Sequence, residues 1–127
     1  MPEFPRPINL AEKFAAIPDH WNPRIVAQLN GQHVRLARLL GDFVWHRHDE
    51  EDELFLVVRG RLQMGMRVAG EERWEEIAPG ELIVIPRGLE HCPRAREEVH
   101  VLLFEPAGTL NTGNVSDERT RRSLETL

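Results

Sequence analysis

Short apolar runs broken by glycine and proline dominate the chain. Between Gly41, Gly60, Gly70, Pro79-Gly80, Pro86, Gly88, Pro93 and Pro106 lie β-prone segments at Phe43 to His48, Leu54 to Val58, Arg61 to Val68, Arg73 to Ile77, Glu81 to Ile85 and Val99 to Phe104. Punctuation at that spacing predicts many short strands joined by turns. Upstream, Arg24 to Leu29 is rich in β-branched and apolar residues and runs into Asn30-Gly31, a dipeptide favoured where both turn positions need positive φ. A hairpin from Arg24 to Leu40 is therefore expected. One segment has helical spacing: Asn9 is an N-cap with Glu12 three residues on, and Leu10, Phe14 and Ile17 share a face before Pro18 ends the run. The pattern predicts an all-β, antiparallel sandwich or barrel with one short N-terminal helix. Residues 1–23 read as an arm and helix, 24–106 as the barrel, and 107–127 as a polar tail. The last dozen tail residues are expected as a short amphipathic helix or as disordered chain.

Composition narrows the function. At 127 residues there is material for one modest core. No apolar stretch approaches the roughly 20 residues of a membrane span, so no membrane partner is expected. The start MPEFPRPINL lacks a basic segment followed by an apolar run, which makes the cytoplasm the expected location. The one cysteine, Cys92, excludes an internal disulfide and a cysteine-only zinc site, so any metal must be held by His and carboxylates. A formal charge of -5, with Arg scattered among acidic residues, argues against nucleic acid as a partner and leaves a small-molecule ligand or substrate. There is no Tyr, so mechanisms that need a tyrosine acid or base are closed.

His46 and His48 stand one residue apart, which on a strand puts both imidazoles on one face. Glu53 opens the next run and shares its face with Phe55 and Val57. His91 follows the turn Pro86-Arg87-Gly88. Three imidazoles and one carboxylate suit one divalent transition metal (Mn, Fe, Co, Ni or Zn) and match Ca or Mg poorly, since those prefer oxygen ligands.

The residues at these positions resemble the two motifs of the cupin superfamily. Gly41, His46, His48, Glu53 and Gly60, in GDFVWHRHDEEDELFLVVRG, resemble the first motif, and Gly80, Pro86, Gly88 and His91, in GELIVIPRGLEH, resemble the second. Residues 61 to 79 separate them, a short segment like that of small single-domain bacterial cupins. Two departures stand out: one residue fewer than usual between Gly41 and His46, and Ala95 where an Asn is common. Neither touches a ligand position. The resemblance implies a double-stranded β-helix (jelly roll), a metal at His46, His48, Glu53 and His91, and a homodimer. It implies a metal-dependent enzyme on a small polar metabolite, of isomerase, lyase or dioxygenase class, or else a non-catalytic binding or sensing cupin.

Other residues carry weaker expectations. Glu90, beside His91, is a candidate general base, with a solvated turn residue as the blander reading. The run Asp49 to Glu53 is too self-repelling to act as one site, so only Glu53 is retained. Trp45 should point outward, against the N-terminal segment or a second subunit. Cys92 reads as a small buried residue, His20, His33 and His100 as surface or packing residues, and Arg38, Gln63, Met64 and Met66 as candidate pocket lining.

Overall fold

The computed structural model describes residues 3–127. Helix α1 (Leu10–Ala15) is capped by Asn9, whose side-chain oxygen accepts the Glu12 N–H at 3.0 Å. Seven strands follow: β1 (Arg24–Leu29), β2 (Gln32–Asp42), β3 (Glu53–Arg59), β4 (Leu62–Val68), β5 (Glu71–Ile77), β6 (Leu82–Ile85) and β7 (Glu90–Pro106). Asn30 and Gly31 both have positive φ, 50° and 75°, as the hairpin turn between β1 and β2 requires.

All pairings between these strands are antiparallel, in the order β1-β2-β7-β3-β6, with β4 joining β7 and β5 joining β4. Strand β7 is the structural spine. Its first residues, Glu90 to Arg94, pair with β4, and the rest pairs with β2 on one side and β3 on the other. Pro93 was expected to break the chain, yet it lies inside β7. Its ladder partner is Met64 on β4 and it has none on β2, so the missing N–H is tolerated. A second correction concerns Phe43 to His48, which is not a regular strand: its one ladder contact is a bridge between His46 and His91.

Alternation fills the interior. Ala37 and Leu39 of β2, Phe55 and Val57 of β3, Leu62 and Met64 of β4, and Val99, Val101 and Leu103 of β7 point inward and are buried. Met66 packs at the margin of this core, whereas Arg38 and Gln63 face away from it, toward Glu98 and Glu76. On the outer face, Phe14 and Ile17 cover Leu36 and Val26, which seats the helix on β1 and β2. No described helix is long and apolar enough to cross a membrane.

The tail corrects its expectation as well. It contains no helix; turns carry it back to β1, where Ile25 exchanges backbone hydrogen bonds with Glu125 and Leu127, both at 2.9 Å. Thr109 and Thr112 are buried. Polar composition reads the same whether side chains meet water or satisfy one another internally. Trp45 is likewise covered by its own chain, edge-on to Trp74 at 5.7 Å with the Arg67 guanidinium 3.6 Å above its ring, and so lends no support to a homodimer.

Glu98 fastens the helical segment to the barrel. His20 approaches at 2.8 Å and Arg38 at 3.0 Å, and these contacts, His20 first, pull the carboxyl down to about 2. Because the folded value lies below that of the unfolded chain, the contact stabilises fully above about pH 4.5 and is lost as pH falls toward 2. The side chain is 36% exposed, so screening keeps the effect small. The Tm difference between wild type and Glu98→Gln should therefore shrink from pH 6 to pH 3 in a melting series. An unchanged difference would refute the assignment.

Candidate metal centre

The fold brings His46, His48, Glu53 and His91 together from three places. His91 is on β7, Glu53 begins β3, and both histidines of the first motif sit on the irregular segment after β2. That segment is held against β7 by reciprocal backbone hydrogen bonds between His46 and His91, at 3.0 and 2.8 Å. One potential ligand atom from each of the four side chains lies within 4.8 Å of the others, and all four residues are buried. Ligands on opposite sides of an ion with bonds of about 2.0–2.2 Å stand about 4 Å apart, so small adjustments suffice.

Hydrogen bonding fixes which nitrogens are free. His46 Nδ1 lies 2.9 Å from the Val44 carbonyl and His91 Nδ1 lies 2.9 Å from the Leu89 carbonyl. A carbonyl only accepts, so each Nδ1 carries the proton and each Nε2 presents a lone pair inward. Glu53 Oε1 is 3.4 Å from both His48 Nε2 and His91 Nε2, too long for good hydrogen bonds. Those three atoms are buried with no hydrogen-bond partner. Unsatisfied buried polar atoms are costly, and several converging on one point fit a cation.

Electrostatics agree. Burial, then the neighbouring His91, pushes His46 down to about 4, so it is neutral at physiological pH. Burial alone would lower His48, but the adjoining Glu53 carboxylate outweighs it and the pKa lies above the ordinary 6.5. Burial, then the neighbouring Glu53, pushes Glu105 above the usual carboxylate range.

Sequence reasoning missed what lies behind Glu53. Arg35, 2% exposed, donates to Glu105 Oε1 at 2.8 Å and to the carbonyls of Thr109 (2.8 Å) and Ala107 (2.9 Å), with His33 against its Nε. The available signal was Glu105 itself, in register with inward Val99, Val101 and Leu103. Glu90 is corrected in the other direction: on β7 it faces opposite to His91, and its carboxylate pairs with Arg67 at 3.1 Å on the surface. It does not reach the site. Cys92 is buried with its thiol directed to the Phe43 carbonyl, and burial pushes its pKa up, so it is unreactive packing.

A cavity of about 40 Å³ opens beside His46 and Glu53. Its walls are largely apolar, from Leu39, Phe55, Val101, Leu103 and the stacked pair Trp21 and Phe43, whose rings are 4.7 Å apart. Glu105 and Asn111 are the other polar residues lining it.

Comparison with known proteins meets this geometry. The family model described as Cupin domain matches residues 39–105. The chain belongs to the cupin family. A crystal structure of a cupin-2 domain containing protein from Shewanella frigidimarina is 39% identical, with a TM-score of 0.73, covering 78% of this chain and 93% of that one. Protein NMB1881 from Neisseria meningitidis is 31% identical, with a TM-score of 0.70, over 80% of this cupin and 100% of that chain. The uncharacterized protein YdbB of Bacillus subtilis (strain 168) is 30% identical over 70 residues, 55% of this chain and 59% of that protein's length. At the level of fold alone, hydroquinone 1,2-dioxygenase from Sphingomonas sp. TTNP3 is 16% identical, with a TM-score of 0.70, covering 78% of this chain and 32% of that one.

Proposed function

We propose that this cupin is a metal-dependent enzyme of dioxygenase class whose substrate is a small molecule with an apolar body and an oxygen-bearing head. The observation that carries this reading is the apolar cavity lined in part by His46 and Glu53, two of four buried side chains whose potential ligand atoms converge. Four protein ligands leave two positions of an octahedral ion open, as turnover requires. When bound, such an ion supplies Lewis acidity and, if redox-active, electrons for dioxygen chemistry.

The chain's own residues select among reactions on this fold. The cavity lining contains no Arg or Lys, and Arg35 behind it is fully engaged by Glu105 and two carbonyls. A phosphorylated sugar would find no cation there, which disfavours the isomerase reading, and the small polar metabolite gives way to a substrate with an apolar body. Trp21, Phe43 and Phe55 would seat that body and exclude water, with Glu105 beside Glu53 in the cavity wall. A non-catalytic binder is the second reading, since the same walls would retain a ligand without turnover.

Purified protein is expected to hold near one transition metal per chain by elemental analysis. Loaded anaerobically with Fe(II) and then mixed with oxygenated buffer, it should consume dioxygen with small phenols or diketones but not with sugar phosphates. Retention of such compounds, seen by quenching of Trp21 fluorescence without oxygen uptake under any metal, would replace the enzyme with the binder.

A further inference from the structure

The two histidines of the first motif lie on a segment whose sheet pairing is limited to the single His46–His91 bridge, so something more must aim His48. His46 and His91 each anchor Nδ1 on the carbonyl two residues earlier. His48 has no such anchor. Its equivalent carbonyl, that of His46, already accepts the His91 N–H at 2.8 Å, and His48 Nδ1 is buried without a partner. The His48 ring is therefore aimed by the placement of its backbone. Gly88 N–H bonds the His48 carbonyl at 2.8 Å on one side.

On the other side stands the C-terminal tail. The N–H of Arg47, between the two histidines, donates to Asn114 Oδ1 at 2.7 Å, and the Arg47 carbonyl accepts the Asn114 N–H at 3.0 Å. One tail residue thus satisfies both backbone groups of the residue that links the ligands. Gly113, at φ 55°, lets the tail come this close: a Cβ there would collide with the Arg47 carbonyl and press on the His46 ring. The tail turn is itself firm. Thr112, fully buried, donates to the Val115 carbonyl at 2.6 Å, and the Asn111 side chain bridges Arg119 and Arg121 backbone at 2.8 Å each.

We propose that the tail turn Asn111–Asn114 is part of the metal centre, with Asn114 a positioning residue that aims His48 through the Arg47 backbone. This rests on the metal reading of the four side chains. A partner behind a ligand characteristically controls affinity by ten- to hundredfold. Nothing in the tail composition announces that role, because the contact is made mostly by backbone.

The test measures Co²⁺ affinity by calorimetry, and the Co²⁺ absorption spectrum, for wild type, Asn114→Ala, Asn114→Asp and Val26→Ala. Asn114→Ala should bind Co²⁺ about ten- to hundredfold more weakly, with an altered spectrum. Asn114→Asp keeps the Oδ1 acceptor and should stay near wild type. Val26→Ala, in the cluster under α1, lowers stability away from the site and should bind normally. Wild-type affinity in Asn114→Ala, or equal weakening in Val26→Ala, would overturn the positioning role while leaving the metal site intact. No Co²⁺ binding by wild type would overturn the metal reading and this role with it.

Discussion

Glu53→Gln is expected to weaken divalent-metal affinity by more than about a hundredfold, beyond what losing a partner behind a ligand costs, while the metal-free protein melts no lower than wild type. The metal loss follows from exchanging an anionic ligand for a neutral amide of the same shape. The retained stability follows from what the carboxylate does in the absence of an ion. It is 3% exposed, its Oε1 has no hydrogen-bond partner, and it faces a second carboxyl on Glu105. A buried charge so placed is a burden on the fold that a neutral isostere removes. Calorimetric titration with Co²⁺ and melting of the apoprotein check the two halves. A lower apo Tm with affinity intact would make Glu53 a structural residue and sink the metal assignment.

That pairing of lost function with unharmed stability is expected of a site built for a ligand rather than for packing. It also explains why the candidate ligand set was legible in the sequence. His46, His48, Glu53 and His91 are residue types that an apolar barrel interior does not otherwise accept, and their spacing survived even though the segment carrying two of them is not the expected strand. An extended backbone is enough to put alternate side chains on one face. The strands were legible for a similar reason: Asn30-Gly31 and the other glycines mark turns by their own backbone chemistry.

What the sequence hid is of two kinds. Pro93 looked like a terminator because proline cannot donate, but the consequence depends on whether a neighbour needs that donor, which only pairing reveals. The tail looked solvated because Thr109, Thr112, Asn111 and Asn114 are polar, and composition does not record whether a polar group finds its partner inside. Arg35 and Glu105 were invisible for a related reason: 70 residues separate them, and no local pattern couples them.

Arg35→Met should be the most destabilising of the substitutions considered, at about 3–5 kcal/mol, since each buried acceptor stripped of its donor costs about 1–3 kcal/mol. For a chain of this size that is a fall in Tm of roughly 10–20 °C. The arginine touches Glu105 and the carbonyls of Ala107 and Thr109, so its loss takes the donor from two buried acceptors and one partly buried one and unpins the start of the tail. Because Asn114 reaches the ligand segment from that tail, Co²⁺ affinity should fall along with Tm. The double variant Arg35→Met/Glu105→Met separates the causes. If the stranded carboxyl dominates, replacing it with an apolar side chain restores much of the lost Tm. If the two backbone carbonyls dominate, the double variant melts where the single one does. Recovery of Tm without recovery of Co²⁺ affinity would show that the carboxyl pair serves the metal through Glu53. Recovery of both would assign the coupling to the tail alone. A Tm within a few degrees of wild type for Arg35→Met would show that water takes over the role of the guanidinium and that the buried pair contributes little to the fold.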